Sequence, residues 1–183
     1  MLRNSNYIYE NIIVADEINT TKQYCKKAQV GVDLSIRSIE SMEVGCTLRS
    51  KTYAASTRNI DKKEYSYNDE VFTGWFLPQG TYIVKLNEGC NFGPKDTGLI
   101  VLRSSLNRSG FTVCSAVWDP GYKSVDGDTI YPMSVRLTID NPNGFYLEEN
   151  ARIAQLLVLE NEDTTLYNGQ WQGGKTISKL VQF

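Results

Sequence analysis

The chain has 183 residues, enough for one domain with a substantial core. Its 19 lysines and arginines against 21 aspartates and glutamates leave a net charge of −2. That balance offers no basic face for DNA or RNA and points to a small-molecule partner. Histidine is absent, so no Ser-His-Asp triad, Cys-His pair or HExxH zinc site can form. The zinc deaminases also need a PCxxC segment, which is missing. General base work therefore falls to a carboxylate, or to a lysine or tyrosine of shifted pKa.

In chain order, residues 1–27 are Asn-rich and Tyr-containing and read as an appended segment, with a short helix expected over Ala15 to Lys27. The main domain is expected over 28–165. Within it, Asp33 stands between Val32 and Leu34, and a carboxylate in such an apolar setting must be paired or hydrated. Arg49 to Asp69 is polar and charged and reads as a long, partly mobile excursion between strands. From Pro78 onward, Pro and Gly punctuate the chain at the spacing of an all-β barrel or sandwich. Tyr82 to Leu86, Gly98 to Leu102 and Ile153 to Leu159 read as strands, and Met133, Val135, Leu137 and Ile139 alternate with polar residues. The cysteines at 25, 46, 90 and 114 form no CxxC pair, and no signal peptide or long apolar run accompanies them. The expectation is a reduced, cytoplasmic, soluble protein with buried free thiols and no membrane partner.

The chemistry concentrates in Arg103-Ser104-Ser105-Leu106-Asn107-Arg108-Ser109-Gly110 and in Val117-Trp118-Asp119-Pro120-Gly121-Tyr122. Two arginine forks and two hydroxyls within six residues suit a polyphosphate tail. The Pro-Gly turn then holds one carboxylate, Asp119, beside one aromatic face, Tyr122, on which a sugar can rest. Together they read as a nucleoside triphosphate site. Each residue also has a plainer reading. Asp119 is a good turn former, Arg103 and Arg108 could be surface ion-pair partners, Gln155 could face outward from an edge strand, and Trp171 could plug a loose tail. Gly169 to Thr176 satisfies the GxxxxGK[ST] pattern, but the preceding residues are polar and only seven follow, too few for the helix a P-loop opens. Its glycines can still wrap backbone N–H groups around a phosphate.

These strings, with Gly31-Val32-Asp33-Leu34, Leu77 to Tyr82 leading to Asn87-Glu88, Ala151 to Leu156 and Leu166 to Gly173, resemble the dUTPase and dCTP deaminase superfamily, most closely the archaeal-type dUTPases. The resemblance runs from about Val30 to Gly174. It implies an all-β fold, the dUTPase-like β-barrel (a β-clip or distorted jelly roll), assembled as a homotrimer with sites shared between subunits. It further implies a Gly-rich C-terminal arm, 166–183, that closes the site. The implied activity is hydrolysis of dUTP to dUMP and pyrophosphate, with Mg2+ bridging the phosphates and water attacking the α-phosphorus. By the same resemblance, Arg103, Ser104, Ser105, Arg108 and Gln155 hold phosphates and water. Asp119 binds the 3'-hydroxyl or activates the water, and Tyr122 excludes ribose. The backbone at Ser115, Ala116 and Val117 reads uracil, Tyr167, Trp171 and Gly173 belong to the arm, and Asp33 lies near magnesium through water.

The sequence departs from the family in one region. A dCTP deaminase needs a glutamate on the strand after the turn, where Thr138 stands, and no Glu occurs between Glu88 and Glu148. Lys123-Ser124 replaces the Gly-Glu common in archaeal-type dUTPases, and Ser124 to Tyr131 reads as an insertion. In the tail, Gln170 and Gly174 stand where deaminases tend to carry Lys and Gln. These departures weigh against deamination and keep a third reading open, a nucleotide-binding regulatory protein on the same scaffold.

Overall fold

The computed structural model describes residues 1–14, 23–42, 47–48, 53–54, 56–126, 129–162, 165–169 and 172–173. A short helix, α1 (Ser5–Tyr7), is capped by the Asn4 side chain, which accepts from the Tyr7 N–H, and runs into a π-helical turn at Ile8–Ile12. Strands follow in chain order: β1 (Ile13–Val14), β2 (Lys26–Lys27), β3 (Val32–Met42), β4 (Thr47–Leu48), β5 (Tyr53–Ala54), β6 (Thr57–Asn59), β7 (Lys63–Tyr67), β8 (Glu70–Leu77) and β9 (Gly80–Leu86). After these come β10 (Gly89–Cys90), β11 (Asp96–Leu102), β12 (Phe111–Cys114), β13 (Val125–Asp126), β14 (Thr129–Ile130), β15 (Ser134–Ile139), β16 (Phe145–Glu148) and β17 (Arg152–Glu160).

The main sheet is antiparallel in the order β11-β17-β3-β9-β15-β12, with β2 and β6 also on β3. Its two ends, β11 and β12, come back against each other, so the sheet is nearly closed. A second layer, β16-β8-β7, covers part of it. Period-2 burial explains why these residues form strands. In β9 and β15 the residues Tyr82, Val84, Leu86, Val135, Leu137 and Ile139 face inward while their neighbours are more exposed. β3 is different: Val32 to Ile36 are all buried, because this strand lies in the middle of the sheet with partners on both sides. Trp75, Leu77 and Leu147 close the core from the second layer. Each fully buried Leu, Ile or Val is worth about 1.5–3 kcal/mol.

Several expectations change. The helix over Ala15 to Lys27 lies largely outside the described residues, and its described end, Lys26–Lys27, is a strand paired with Asp33 and Val32. The excursion at Arg49 to Asp69 holds β6 and β7. β7 meets β8 through a tight turn at Asn68 and Asp69, whose φ of 51° and 65° match the twist of a two-residue hairpin. The first residues are packed rather than hung on. Ile8, Ile12 and Ile13 belong to the core, and the Arg3 N–H donates to the Val158 carbonyl. Asp96, 2% exposed, is gripped by Arg3 Nε and the Tyr7 hydroxyl, both at 2.9 Å. Of the described cysteines, Cys25 and Cys90 are buried thiols as expected, whereas Cys114 is exposed.

Candidate functional site

Between β11 and β12 the chain makes a single 3₁₀ turn over Ser104–Leu106. Leu106 packs on the core, and Gly110, at a φ of 77°, accepts from the Asp140 and Asn141 N–H groups, which ties the end of the loop down. Ser104, Ser105 and Arg108 are thereby held outward and exposed. Arg103, half-buried, is seated firmly. Its Nε pairs with Asp33 Oδ2 at 2.9 Å, its Nη1 donates to the Arg152 carbonyl at 2.9 Å, and its backbone N–H reaches the Ile153 carbonyl at 3.3 Å. The remaining nitrogen, Nη2, makes no bond to a described residue. Gln155 joins this cluster, since it sits between Asp33 and Val101 in the sheet and donates to the Val30 carbonyl at 2.6 Å. It is not on an edge strand, because β17 lies between β11 and β3. Gly31 makes this approach feasible: with φ at 78°, a Cβ there would lie 2.3 Å from the Leu156 carbonyl oxygen.

A second cluster lies around the Pro-Gly turn. Trp118 pairs with Gly98 as an isolated bridge, and a Cβ on Gly98 would lie 3.1 Å from the Trp118 Cβ. Asp119 follows, exposed, and its carbonyl accepts from the Tyr122 N–H. Tyr122 is half-buried, edge-on to Trp118 at 5.1 Å and to Tyr167 at 5.6 Å. Burial pushes its hydroxyl well above the usual tyrosine range, so Tyr122 is a surface and not a base. Ser115 is half-buried with its hydroxyl between the Ile100 N–H and the Ala116 carbonyl, while Ala116 and Val117 are exposed.

The tail is laced onto this turn in the same chain. The Tyr167 N–H donates to the Pro120 carbonyl, and Gln172 donates to the Gly121 carbonyl and accepts from the Lys123 N–H. The buried Gly173 donates to the Lys123 carbonyl. Trp171, Gln170 and Gly174 to Thr176 lie outside the described residues. Leu166 to Gly169 form neither strand nor helix, so no strand leads into the GxxxxGK[ST] string.

Thus Arg103, Ser104, Ser105, Arg108, Gln155 and Asp33 lie together, as do Ser115 to Val117, Asp119, Tyr122, Tyr167 and Gly173. The two groups are at opposite ends of β11. Gly98 marks the turn end and Arg103 the other, five residues apart, or roughly 16 Å at the rise of a strand. Among the described residues no group of three His, Cys, Asp or Glu side chains could cage a metal ion. Asp33 Oδ2 is committed to Arg103, while Oδ1 bonds to no described residue, which suits contact with a hydrated ion rather than direct capture. Thr138, half-buried, lies across from Thr112 and Thr81, and β15 carries no carboxylate. The Ser124 to Tyr131 insertion begins and ends as the β13–β14 hairpin, anchored by the buried Ser124 hydroxyl on the Cys90 N–H and carbonyl.

One buried carboxylate was not anticipated as part of the site. Glu88, fully buried, accepts from the Ser35 N–H at 3.0 Å and from the Ser35 hydroxyl at 2.7 Å. Its signals in the sequence are its place in the Asn87-Glu88 string of the family resemblance and an acid following the strand Tyr82 to Leu86.

The chain belongs to the dCTP deaminase-like family, whose model matches residues 7–161. It is 34% identical to a probable deoxyuridine 5'-triphosphate nucleotidohydrolase of Aeropyrum pernix, over 78% of this chain and 82% of that protein. To a probable enzyme of the same name from Archaeoglobus fulgidus it is 32% identical over 88% and 96%. To the deoxyuridine 5'-triphosphate nucleotidohydrolase of Methanocaldococcus jannaschii it is 32% identical over 79% and 86%. Among solved structures, a 2'-deoxycytidine 5'-triphosphate deaminase from Agrobacterium tumefaciens aligns at 13% identity with a TM-score of 0.48, covering 80% of this chain and 48% of that one.

Proposed function

We propose that the protein hydrolyses dUTP to dUMP and pyrophosphate, as a homotrimer, with magnesium on the phosphates. The observation that carries this reading is the Arg103 seat: a guanidinium immobilised by a carboxylate and a carbonyl, one nitrogen left for an anion, and two exposed hydroxyls on the next two residues. Such a fork is built for phosphate oxygens, and fixing it in advance removes the cost of ordering it at the moment of reaction. Relatives named as deoxyuridine triphosphate nucleotidohydrolases match along most of their length and supply the identity of the base.

In this reaction a water oxygen bonds to the α-phosphorus, the bond from that phosphorus to the α,β-bridging oxygen breaks, and pyrophosphate leaves. Asp119, exposed and held by its Pro-Gly turn, takes the water's proton or fixes the 3'-hydroxyl. Tyr122, packed by Trp118 and Tyr167, presents a fixed face to the deoxyribose. Ser115 to Val117 offer backbone groups to uracil. Arg103, Arg108, Ser104, Ser105 and Gln155 hold phosphates and water. Magnesium, when bound, would neutralise phosphate charge, and Asp33, whose Oδ1 is left over from the Arg103 pair, would help hold it through water. Gly98, beside Trp118, and Arg103 stand five residues apart along β11, and this spacing between the turn and the arginine loop supports a site completed by a neighbouring copy.

Deamination is the weaker reading because Thr138, with threonine neighbours and no carboxylate on its strand, cannot activate water. We place the protein in the cytoplasm, where thiols such as the exposed Cys114 stay reduced. Among the described residues no helix is long and apolar enough to cross a membrane. The test is incubation with dUTP, dCTP or dTTP plus magnesium, with products separated by ion exchange. Pyrophosphate from dUTP supports the proposal, dUTP formed from dCTP means a deaminase, and tight binding without products means a regulator.

A further inference from the structure

Arg103 owes its position to an irregularity in β17. The pairing of β17 with β3 slips between Arg152 and Ala154, so Ile153 has no partner across the ladder. A bulge of this kind turns successive backbone groups out of register. Here the two carbonyls at the slip, those of Arg152 and Ile153, both serve Arg103: one takes its Nη1, the other its backbone N–H. Across the slip, the main chain of Ser35 turns toward a different segment. Its carbonyl accepts from the Asn87 N–H at 2.9 Å, and its N–H goes to the Glu88 side chain at 3.0 Å. The Asn87 amide nitrogen stitches the same place to Ile36 and Asn150, at 3.1 and 2.9 Å.

Glu88 is thus the acceptor for a buried N–H at the residue across from Arg152, and an N–H left unmade there would be costly. Its placement is unusual. Asp33 and Asp96, the other buried acids among the described residues, are paired with Arg103 and Arg3, whereas Glu88 meets no cation. A buried carboxylate without a counter-charge is an expensive way to fill space, and an aliphatic side chain would fill it better if nothing but packing were required. We propose that Glu88 is a positioning residue for Arg103: by accepting from Ser35 it holds β3 against the β17 bulge and keeps the Arg152 and Ile153 carbonyls aimed at the guanidinium and its backbone. It touches no substrate.

This inference rests on Arg103 being a phosphate-binding residue, and the test separates the two. Glu88→Met keeps the length of the side chain and removes the acceptor. Glu88→Gln keeps an oxygen for the Ser35 N–H and gives up only the acceptor of the Ser35 hydroxyl, which also accepts from Asn87 Nδ2. Binding of α,β-imido-dUTP is measured by calorimetry with magnesium, in the wild-type and Arg103→Ala backgrounds, alongside the Arg103 Nε–H NMR resonance, assigned by its loss in Arg103→Ala. Glu88→Met should weaken the analogue about tenfold in the wild-type background and less than twofold in Arg103→Ala, and should move the Nε–H signal and speed its exchange with water. Glu88→Gln should restore both to within about twofold of wild type. Equal weakening in both backgrounds, or an unmoved Nε–H signal, overturns the proposal and leaves Glu88 a residue of the core. Should Glu88→Met fail to fold, Glu88→Asp, whose shorter side chain draws the acceptor away from the Ser35 N–H, must move the Nε–H signal or the proposal falls. If Arg103→Ala alone binds the analogue as wild type does, the phosphate role of Arg103 is wrong, while the Nε–H signal still decides the role of Glu88.

Discussion

Asp119 is exposed on a rigid turn and makes no ion pair with a described residue, so its replacement by Asn should leave the fold and the nucleotide affinity intact. What it removes is basicity, and a positioned base is worth ~10²–10⁴ in rate. Steady-state pyrophosphate release from dUTP by Asp119→Asn should fall by that amount while calorimetric affinity for the imido analogue stays within about threefold. More than a third of wild-type turnover would remove Asp119 from the mechanism. Glu88 carries a second prediction at this scale. Burial pushes its carboxyl up from 4.5 to about 7, against the lowering effect of its bonds to Ser35. The native chain then binds this proton more tightly than the unfolded chain, so the contribution is fully present below about 4.5 and is lost as pH rises through about 7. Between about pH 5 and 7.5 the wild-type Tm should fall relative to that of Glu88→Gln; parallel curves by calorimetry would contradict the shift.

At the scale of elements, the first fourteen residues make the sharpest prediction. Removing residues 1–12 exposes the seats of Ile8 and Ile12, each worth about 1.5–3 kcal/mol, and strips Asp96 of both of its partners. The sum rivals the ~5–15 kcal/mol that holds a typical domain together, so the truncated chain should lack a cooperative urea transition. Arg3→Ala alone should cost roughly 2 kcal/mol, less than a fully buried pair because Arg3 is partly in water. A deletion that leaves the midpoint unchanged would show the segment to be dispensable. These contacts were not legible in the sequence, where an Asn- and Tyr-containing stretch without periodicity looks like an appendage. The strand at Ser134–Ile139 was legible because one face meets the core and the alternation records it, and those at Gly80–Leu86, Asp96–Leu102 and Arg152–Glu160 because β-rich or apolar runs end at turn residues. β7 was hidden because it lies in the outer layer: four of its five residues are exposed, so its Lys-Glu-Tyr-Ser-Tyr run shows no apolar face. The Asn68-Asp69 pair was its one local signal. In the site, the arginine-hydroxyl loop and the Pro-Gly turn were readable as local strings. That Asp33 answers Arg103, and Glu88 answers Ser35, depends on strand pairing between distant segments, which no local pattern encodes.

For the whole molecule, the separation along β11 makes the assembly testable without a structure of it. If each site takes Asp119 from one copy and Arg103 from another, Asp119→Asn and Arg103→Ala are each inactive alone yet complement one another. Unfolded together at equal amounts and refolded, they should recover about a quarter of wild-type activity, the chance that one site draws an intact half from each of two chains. No recovery, with mixed assemblies demonstrated by tagged pull-down, would place both halves in one chain. Light scattering should report three chains per particle at micromolar concentration.

The stack of Trp118, Tyr122 and Tyr167 has an optical consequence. Two phenols within 5.1 and 5.6 Å of their neighbours, one of them directly against an indole, form a short antenna that passes excitation to Trp118. The position of the tail is therefore written into the emission spectrum of a tryptophan that is not part of the tail. In a chain ending at Thr165, Trp118 should lose part of its tyrosine-sensitised emission and gain access to a quencher such as acrylamide, while the fully buried Trp75 keeps its signal. Because the truncation also removes Trp171, the shortened chain is compared with a full-length one carrying Trp171→Phe; Trp118→Phe would then abolish the difference between them, and a difference that survives it would mean that the colour change arises elsewhere. Whether the tail lifts or stays seated when nucleotide arrives can then be followed in real time, in the unlabelled protein.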